Sequence, residues 1–190
     1  MLARRCRIPC ARRWSTTGRL AVAAAALFVL CSTTAYACTS FVLDTDDGLM
    51  FAANLESGRH GINGMIYINA RGLAKRSWQP GITGEVAEWT SRFGSLTFNL
   101  YGWQYPWAGI NEAGLVISTM AHSDGTSTPL FDERPQLDSG AWIQYLLDTC
   151  ATLDDIEELP AVVRMGSTVD HYLVVDSTGA VGVIGSLIER

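Results

Sequence analysis

Apolar and polar positions follow different periods along this chain, and each change of period marks a change of element. Thr39 to Thr45 (TSFVLDT) alternates and is rich in β-formers, Asp46-Asp47-Gly48 reads as a turn, and Leu49 to Asn54 resumes as an apolar run, so a hairpin is expected. Gly64 to Asn69 and Ser95 to Tyr101 read as further strands, joined by a polar connection over Arg71 to Glu88. Trp107 to Ile110 and Leu115 to Met120 flank the turn Asn111-Glu112-Ala113-Gly114, a second hairpin. After Asp138 the period becomes helical. Trp142, Tyr145, Leu146 and Thr149 share a face, with Ile143, Leu147 and Cys150 beside it, which predicts a largely buried helix over Ala141 to Cys150, capped by Ser139. Thr152-Leu153-Asp154-Asp155 predicts the capped start of a short acidic helix. Tyr172 to Asp176 and Ala180 to Ile184 around Ser177-Thr178-Gly179 predict a last hairpin. No internal repeat interrupts this order, and the fold class read from it is one α+β domain.

The first 37 residues have a different character. Arg4, Arg5, Arg7, Arg12, Arg13 and Arg19 precede an uncharged run from Leu20 to Cys31, which is short for a membrane-spanning helix. Ala35-Tyr36-Ala37 then supplies small residues at the minus-three and minus-one positions of a signal-peptidase site. The expected organisation is therefore a signal peptide over 1-37 and a mature domain over 38-190. Arg12-Arg13 leaves Sec and twin-arginine export both open. The expected location is exported, periplasmic or secreted, and a retained amino-terminal anchor is the competing reading.

Charge changes with that cut. The leader holds six of the 14 basic residues and none of the 19 acids, so the mature chain carries a net charge of −11. This disfavours nucleic acid and anionic membrane surfaces as partners. Of five cysteines only Cys38 and Cys150 remain after cleavage, and in an exported chain two cysteines could pair as a disulfide. There is no CxxC, and His60, His122 and His171 are scattered singly, so no metal and no cofactor is expected.

Cleavage after Ala37 would make Cys38 the first residue, with a free α-amine beside its thiol. A thiol with an ordinary pKa of about 8.5 needs a base within hydrogen-bond reach to act as a nucleophile. A terminal α-amine, with a pKa of roughly 7.7 to 8.0, is such a base, provided that other donors stabilise the oxyanion. The chemistry suits amide hydrolysis through an acyl-enzyme.

Three blocks carry a resemblance: Cys38-Thr39-Ser40-Phe41-Val42-Leu43 with Asp47-Gly48-Leu49 and Asn54-Leu55-Glu56; Phe93 to Gly102 leading into Gly109-Ile110-Asn111-Glu112-Ala113-Gly114-Leu115-Val116; and Arg134-Pro135 with Trp142-Ile143-Gln144-Tyr145. In this order and spacing they resemble the choloylglycine hydrolase and penicillin V acylase family, linear amide C-N hydrolases of the N-terminal-nucleophile superfamily. The resemblance implies an αββα sandwich and a small-molecule N-acyl amide substrate of bile-salt, penicillin V or N-acyl signal type. It implies that Cys38 is the nucleophile, that Asn111 helps form the oxyanion hole, and that Glu56 stands where the family has an aspartate near the terminal amine. The competing readings are a turn asparagine for Asn111 and a solvated loop carboxylate for Glu56.

Two departures accompany the likeness. Ala52-Ala53-Asn54 stands where the family carries Gly-Arg-Asn, and Glu56 reaches one methylene further than aspartate. The family domain also continues beyond the last hairpin, where it supplies a further asparagine and arginine, so the chain is expected to be truncated and its sandwich incomplete, with unpaired edges and uncovered apolar surface. The alternatives to an amidohydrolase are a catalytically inactive remnant or binding protein of the same fold, and a lipoprotein lipidated on Cys38. A homo-oligomer is left open. Trp78, Trp103, Tyr105 and Trp107 are candidates to line an acyl pocket, with packing as the plainer role for each.

Overall fold

A computed structural model describes residues 38–56, 64–77, 85–100, 105–121, 133–159, 162–165 and 170–185. The predicted leader, Trp78, Trp103, His60 and His122 lie outside the described residues.

Alternation decides the strands. β1 (Thr39–Thr45) and β2 (Gly48–Asn54) form the expected hairpin, paired from Thr39↔Asn54 to Thr45↔Gly48. Gly48 closes it at φ +113°, a conformation that favours glycine. β3 (Met65–Asn69), β6 (Ser95–Asn99), β7 (Pro106–Asn111), β8 (Val116–Ala121), β11 (Asp170–Val175) and β12 (Val181–Gly185) build a six-stranded sheet in the order β12-β11-β8-β7-β6-β3. The connection that reads as polar and irregular contains two short paired strands, β4 (Ala74–Arg76) and β5 (Glu88–Thr90). β9 (Gln136–Leu137) and β10 (Arg164–Met165) make a small parallel pair.

Helix α1 (Trp142–Thr149) lies on one face of the large sheet, and every residue from Trp142 to Asp148 is buried. The approach is close. A methyl on Gly109 of β7 would stand 2.8 Å from the Leu96 carbonyl and 2.5 Å from Leu147 Cδ1. Leu115, Ile117, Leu137, Ile143, Leu146, Leu147, Tyr172 and Val174 form the core between helix and sheet. The expected cap is corrected: Ser139 does not cap α1, and Asp138 Oδ1 instead accepts from Gly140 N (2.9 Å) and Ala141 N (3.2 Å). Helix α2 (Leu153–Glu158) begins with the expected box, Asp155 N donating to Thr152 Oγ1 and Asp155 Oδ2 accepting from Thr152 N.

The β1–β2 hairpin lies on the opposite face. Ser40 Oγ and Ser118 Oγ are 2.6 Å apart, which pins β1 across the middle of β8. The hairpin covers only that middle. By register, Ile66, Ile68, Phe98 and Ile110 on one flank and Val181 and Val183 on the other share the face of Ser118, and they are exposed, Ile68 to 88% and Val183 to 68%. Helix, six-stranded sheet and hairpin are thus three successive layers, α, β and β.

Candidate active site

Cys38 immediately precedes β1 and is half-buried. Its Sγ lies 4.0 Å from the backbone carbonyl oxygen of Glu56, a weak thiol donor facing an acceptor. The Glu56 carboxylate is exposed and accepts from Asn54 Nδ2 through Oε1 (3.2 Å). Pairing of β1 with β2 brings these groups together, because Asn54 is the partner of Thr39 and the chain runs on through Leu55 to Glu56. Ala53 is the partner of Ser40, so the position where the family carries arginine holds a methyl.

Leu55 leads from the thiol to a cleft of about 290 Å³. Its wall is Leu55, Leu100, Tyr105, Pro106, Trp107, Thr119, Ser139, Gly140, Ile143, Asp170 and Tyr172. Cys38 stands beside that wall through the 38-to-56 contact and is not part of it. The start of β7, the end of β8, the start of β11 and the first turn of α1 meet here, so all three layers contribute. Two of the aromatic residues named as candidates for an acyl pocket, Tyr105 and Trp107, line this cleft. Burial, followed by the charge of Asp138, raises the Tyr105 phenol above its ordinary pKa. Thr119 Oγ1 is buried and has no hydrogen-bond partner among the described residues. Gly140, Thr119 and Asp170 carry no sequence signal for this place. Their only mark is that strand alternation puts Thr119 and Tyr172, cross-strand partners, on one face.

Asn111 is elsewhere. It closes β7, whereas Pro106, which lines the cleft, opens it; five residues of strand put about 17 Å between them. The hairpin's direction agrees, since a methyl on Gly179, in the turn beyond Val175, would touch Leu49 Cδ1 at 3.8 Å. Leu49 is at the far end of the hairpin from Cys38, and Val175 pairs with Val116 next to the Asn111 turn. The side chain is also fully engaged. Asn111 Nδ2 donates to the carbonyls of Leu147 (2.9 Å) and Cys150 (2.8 Å), and Oδ1 accepts from Ala113 N (3.1 Å) and Leu115 N (2.9 Å). The expectation that Asn111 serves the oxyanion is corrected on both grounds: it ties the β7–β8 turn to the end of α1.

Cys150 sits at that same end, 1% exposed, and both cysteines are free thiols. Burial pushes the Cys150 thiol up to about 11, against a smaller lowering by the Thr149 hydroxyl, which disfavours the thiolate. A hollow of about 500 Å³ beside it is lined by Thr149, Asp155, Glu157, Glu158, Leu159 and Val162. Among the described residues no three His, Cys, Asp or Glu gather as a metal site, and no helix is long and apolar enough to cross a membrane.

No family model matches the chain. It is 35% identical over 74 residues to a penicillin V acylase of Pectobacterium atrosepticum, a segment that covers 36% of this chain and 20% of that protein. Among solved structures, 80% of the chain superposes on 43% of penicillin V acylase from Agrobacterium tumefaciens with a TM-score of 0.57 and 22% identity. Two variants of conjugated bile acid hydrolase from Clostridium perfringens each give a TM-score of 0.64 at 18% identity, over 80% and 81% of this chain and 48% and 49% of theirs. The chain therefore spans less than half the length of the solved structures it matches. The fold expected from the resemblance is borne out by these structures, and the expected likeness to the choloylglycine hydrolase and penicillin V acylase family is found in sequence over those 74 residues.

Proposed function

We propose, from this likeness, that the chain is an exported amidohydrolase that cleaves the linear C-N amide bond of a small N-acyl substrate, with Cys38 as its nucleophile after removal of residues 1–37. What supports the reading is one juxtaposition: the residue that cleavage would make terminal lies beside an apolar cleft at the end of the central sheet. In this scheme the freed α-amine takes the thiol proton, and sulfur attacks the amide carbonyl carbon. The C-N bond then breaks as the amine leaves with that proton, giving a thioester that water hydrolyses with the same amine as base. Glu56 follows Leu55 out of the hairpin, and its carboxylate, oriented by Asn54, is suited to hold the terminal ammonium.

Mass spectrometry of the exported product tests the first step, and Cys38 is the expected first residue. The product is then offered penicillin V, a glycine-conjugated bile salt and an N-acyl homoserine lactone. Loss of turnover on blocking the α-amine supports the scheme. A product that starts elsewhere, or cleaves equally well with its amine blocked, refutes it. A processed chain that binds these amides without cleaving them favours the binding-protein reading, and labelled fatty acid on Cys38 favours the lipoprotein.

A further inference from the structure

The cleft beside Cys38 has one wall whose shape depends on a missing side chain. Tyr105 lies over Gly140 so closely that a methyl at position 140 would overlap the phenol ring. Gly140 itself is held in place: its N–H and that of Ala141 donate to Asp138 Oδ1, while Asp138 Oδ2 accepts from Ser77 Oγ (3.0 Å) and Ser77 Oγ accepts from Asp138 N (2.7 Å). The glycine is a fixed platform in the turn that leads into α1. Tyr105, 39% exposed, rests on it. Both line the cleft, together with Leu55 from the thiol side.

At about 290 Å³ the space lies at the lower end of ligand-pocket sizes, about 300 to 1,000 Å³, a size that suits a single acyl group. Its walls are largely apolar, which suits the acyl half, while the amine half would leave toward solvent at Cys38.

We infer that Tyr105, seated on Gly140, is the specificity-determining residue that sets how long an acyl group the cleft accepts. This rests on the proposed function for the orientation of the amide, with the acyl group inward. Removing the ring deepens the cleft, and adding a methyl beneath the ring lifts it into the cleft and shortens it. The two changes act through one ring, so the second has no effect once the first is made.

The experiment uses the full chain, exported and processed, in wild-type form and as Tyr105→Ala, Tyr105→Phe, Gly140→Ala and the Tyr105→Ala/Gly140→Ala double variant. Two readouts are taken. One is kcat/KM on N-acyl para-nitroanilides from butanoyl to dodecanoyl. The other is displacement of dansylated undecanoic acid by the free carboxylic acids of the same series, which needs no catalysis. Tyr105→Ala is expected to move the optimum to longer acyl groups with a gain of about tenfold for them, and Gly140→Ala to move it shorter with a loss of about tenfold at the wild-type optimum. Tyr105→Phe should match wild type and the double variant should match Tyr105→Ala. An unchanged chain-length order in Tyr105→Ala, a Gly140→Ala effect that persists without the ring, or failure of every acid to displace the probe overturns the inference. If the acids displace the probe in the expected order and no anilide is cleaved, the gauge stands and the hydrolase reading falls.

Discussion

Replacing Lys75 by methionine should destabilise this fold more than any surface substitution, because of what it leaves behind. Lys75 Nζ lies 2.8 and 3.0 Å from the two carboxylate oxygens of Asp148, with side chains 8% and 0% exposed. Asp148 also accepts from Trp89 Nε1 (2.7 Å) and Gln144 Nε2 (2.9 Å), and its backbone carbonyl accepts from Arg92 N and Phe93 N. β4, β5 and α1 are therefore joined through one buried carboxylate. In Lys75→Met two neutral donors remain and the opposite charge is gone. Stranding one member of a buried pair costs about 3 to 5 kcal/mol. For a domain of this size each kcal/mol moves the melting midpoint by about 2 to 4 °C, so a fall of roughly 6 to 20 °C is expected. Thermal and urea unfolding of the processed chain measure it. The Lys75→Met/Asp148→Asn double variant should recover more than 1 kcal/mol of the loss, about the coupling expected of contacting residues. If Lys75→Met lies within about 1 kcal/mol of wild type, the pair does not hold α1 to the β4–β5 arm.

Three further outcomes follow from the same geometry. Asn111→Ala should lower stability by several kcal/mol, because it strands two carbonyls and two N–H groups at about 1 to 3 kcal/mol each, and it should lower folded yield without a selective loss of kcat; a fully stable variant that has lost only turnover would restore the catalytic role. Burial raises the Asp176 carboxyl, but hydrogen bonds from the Thr178 hydroxyl and from Leu153 N, Thr178 N and Ala180 N outweigh it and hold the group below its ordinary value. Its contribution to stability is then complete above the unfolded pKa of about 4 and is lost as pH falls through the lower folded value, so the gap between wild type and Asp176→Asn should close in urea melts taken below pH 4 and stay open at pH 7. Thr119→Val removes a buried hydroxyl that has no partner among the described residues and should raise stability in urea by about 1 kcal/mol; a lower midpoint would mean that the hydroxyl is satisfied in solution.

Most of the strands were legible because their pattern reports a face. In β1, Ser40 and Val42 turn inward between exposed neighbours, whereas β11, inside the sheet, is an apolar run buried from Tyr172 to Val175. β4 and β5 were not legible. Ala-Lys-Arg and Glu-Trp-Thr have no strand pattern of their own, and what fixes them is the reach of Lys75 and Trp89 to Asp148, some sixty to seventy residues away. The start of α1 was misread for a related reason: Ser139 and Asp138 are both good capping types, but Asp138, fixed by Ser77, holds the turn at Gly140 and Ala141 and the helix begins after it without a side-chain cap. At the site, local sequence joined Cys38 to Glu56, since a tight hairpin brings its two ends together. Asn111 has the composition of a turn and sits in one, and no sequence spacing reveals which end of a sheet a turn occupies. Gly140 was invisible because its role depends on a ring from another element.

The narrow seat of the β1–β2 hairpin has a consequence for handling the processed chain. With residues 1–37 removed the net charge of −11 would keep copies apart over roughly 10 Å in 0.1 M salt, while the exposed isoleucines and valines beside the hairpin would adhere on touching. Adding sodium chloride to a clear, dilute preparation should therefore make it cloud instead of keeping it soluble, and sedimentation at rising ionic strength should show heavier species where an ordinary acidic protein shows none.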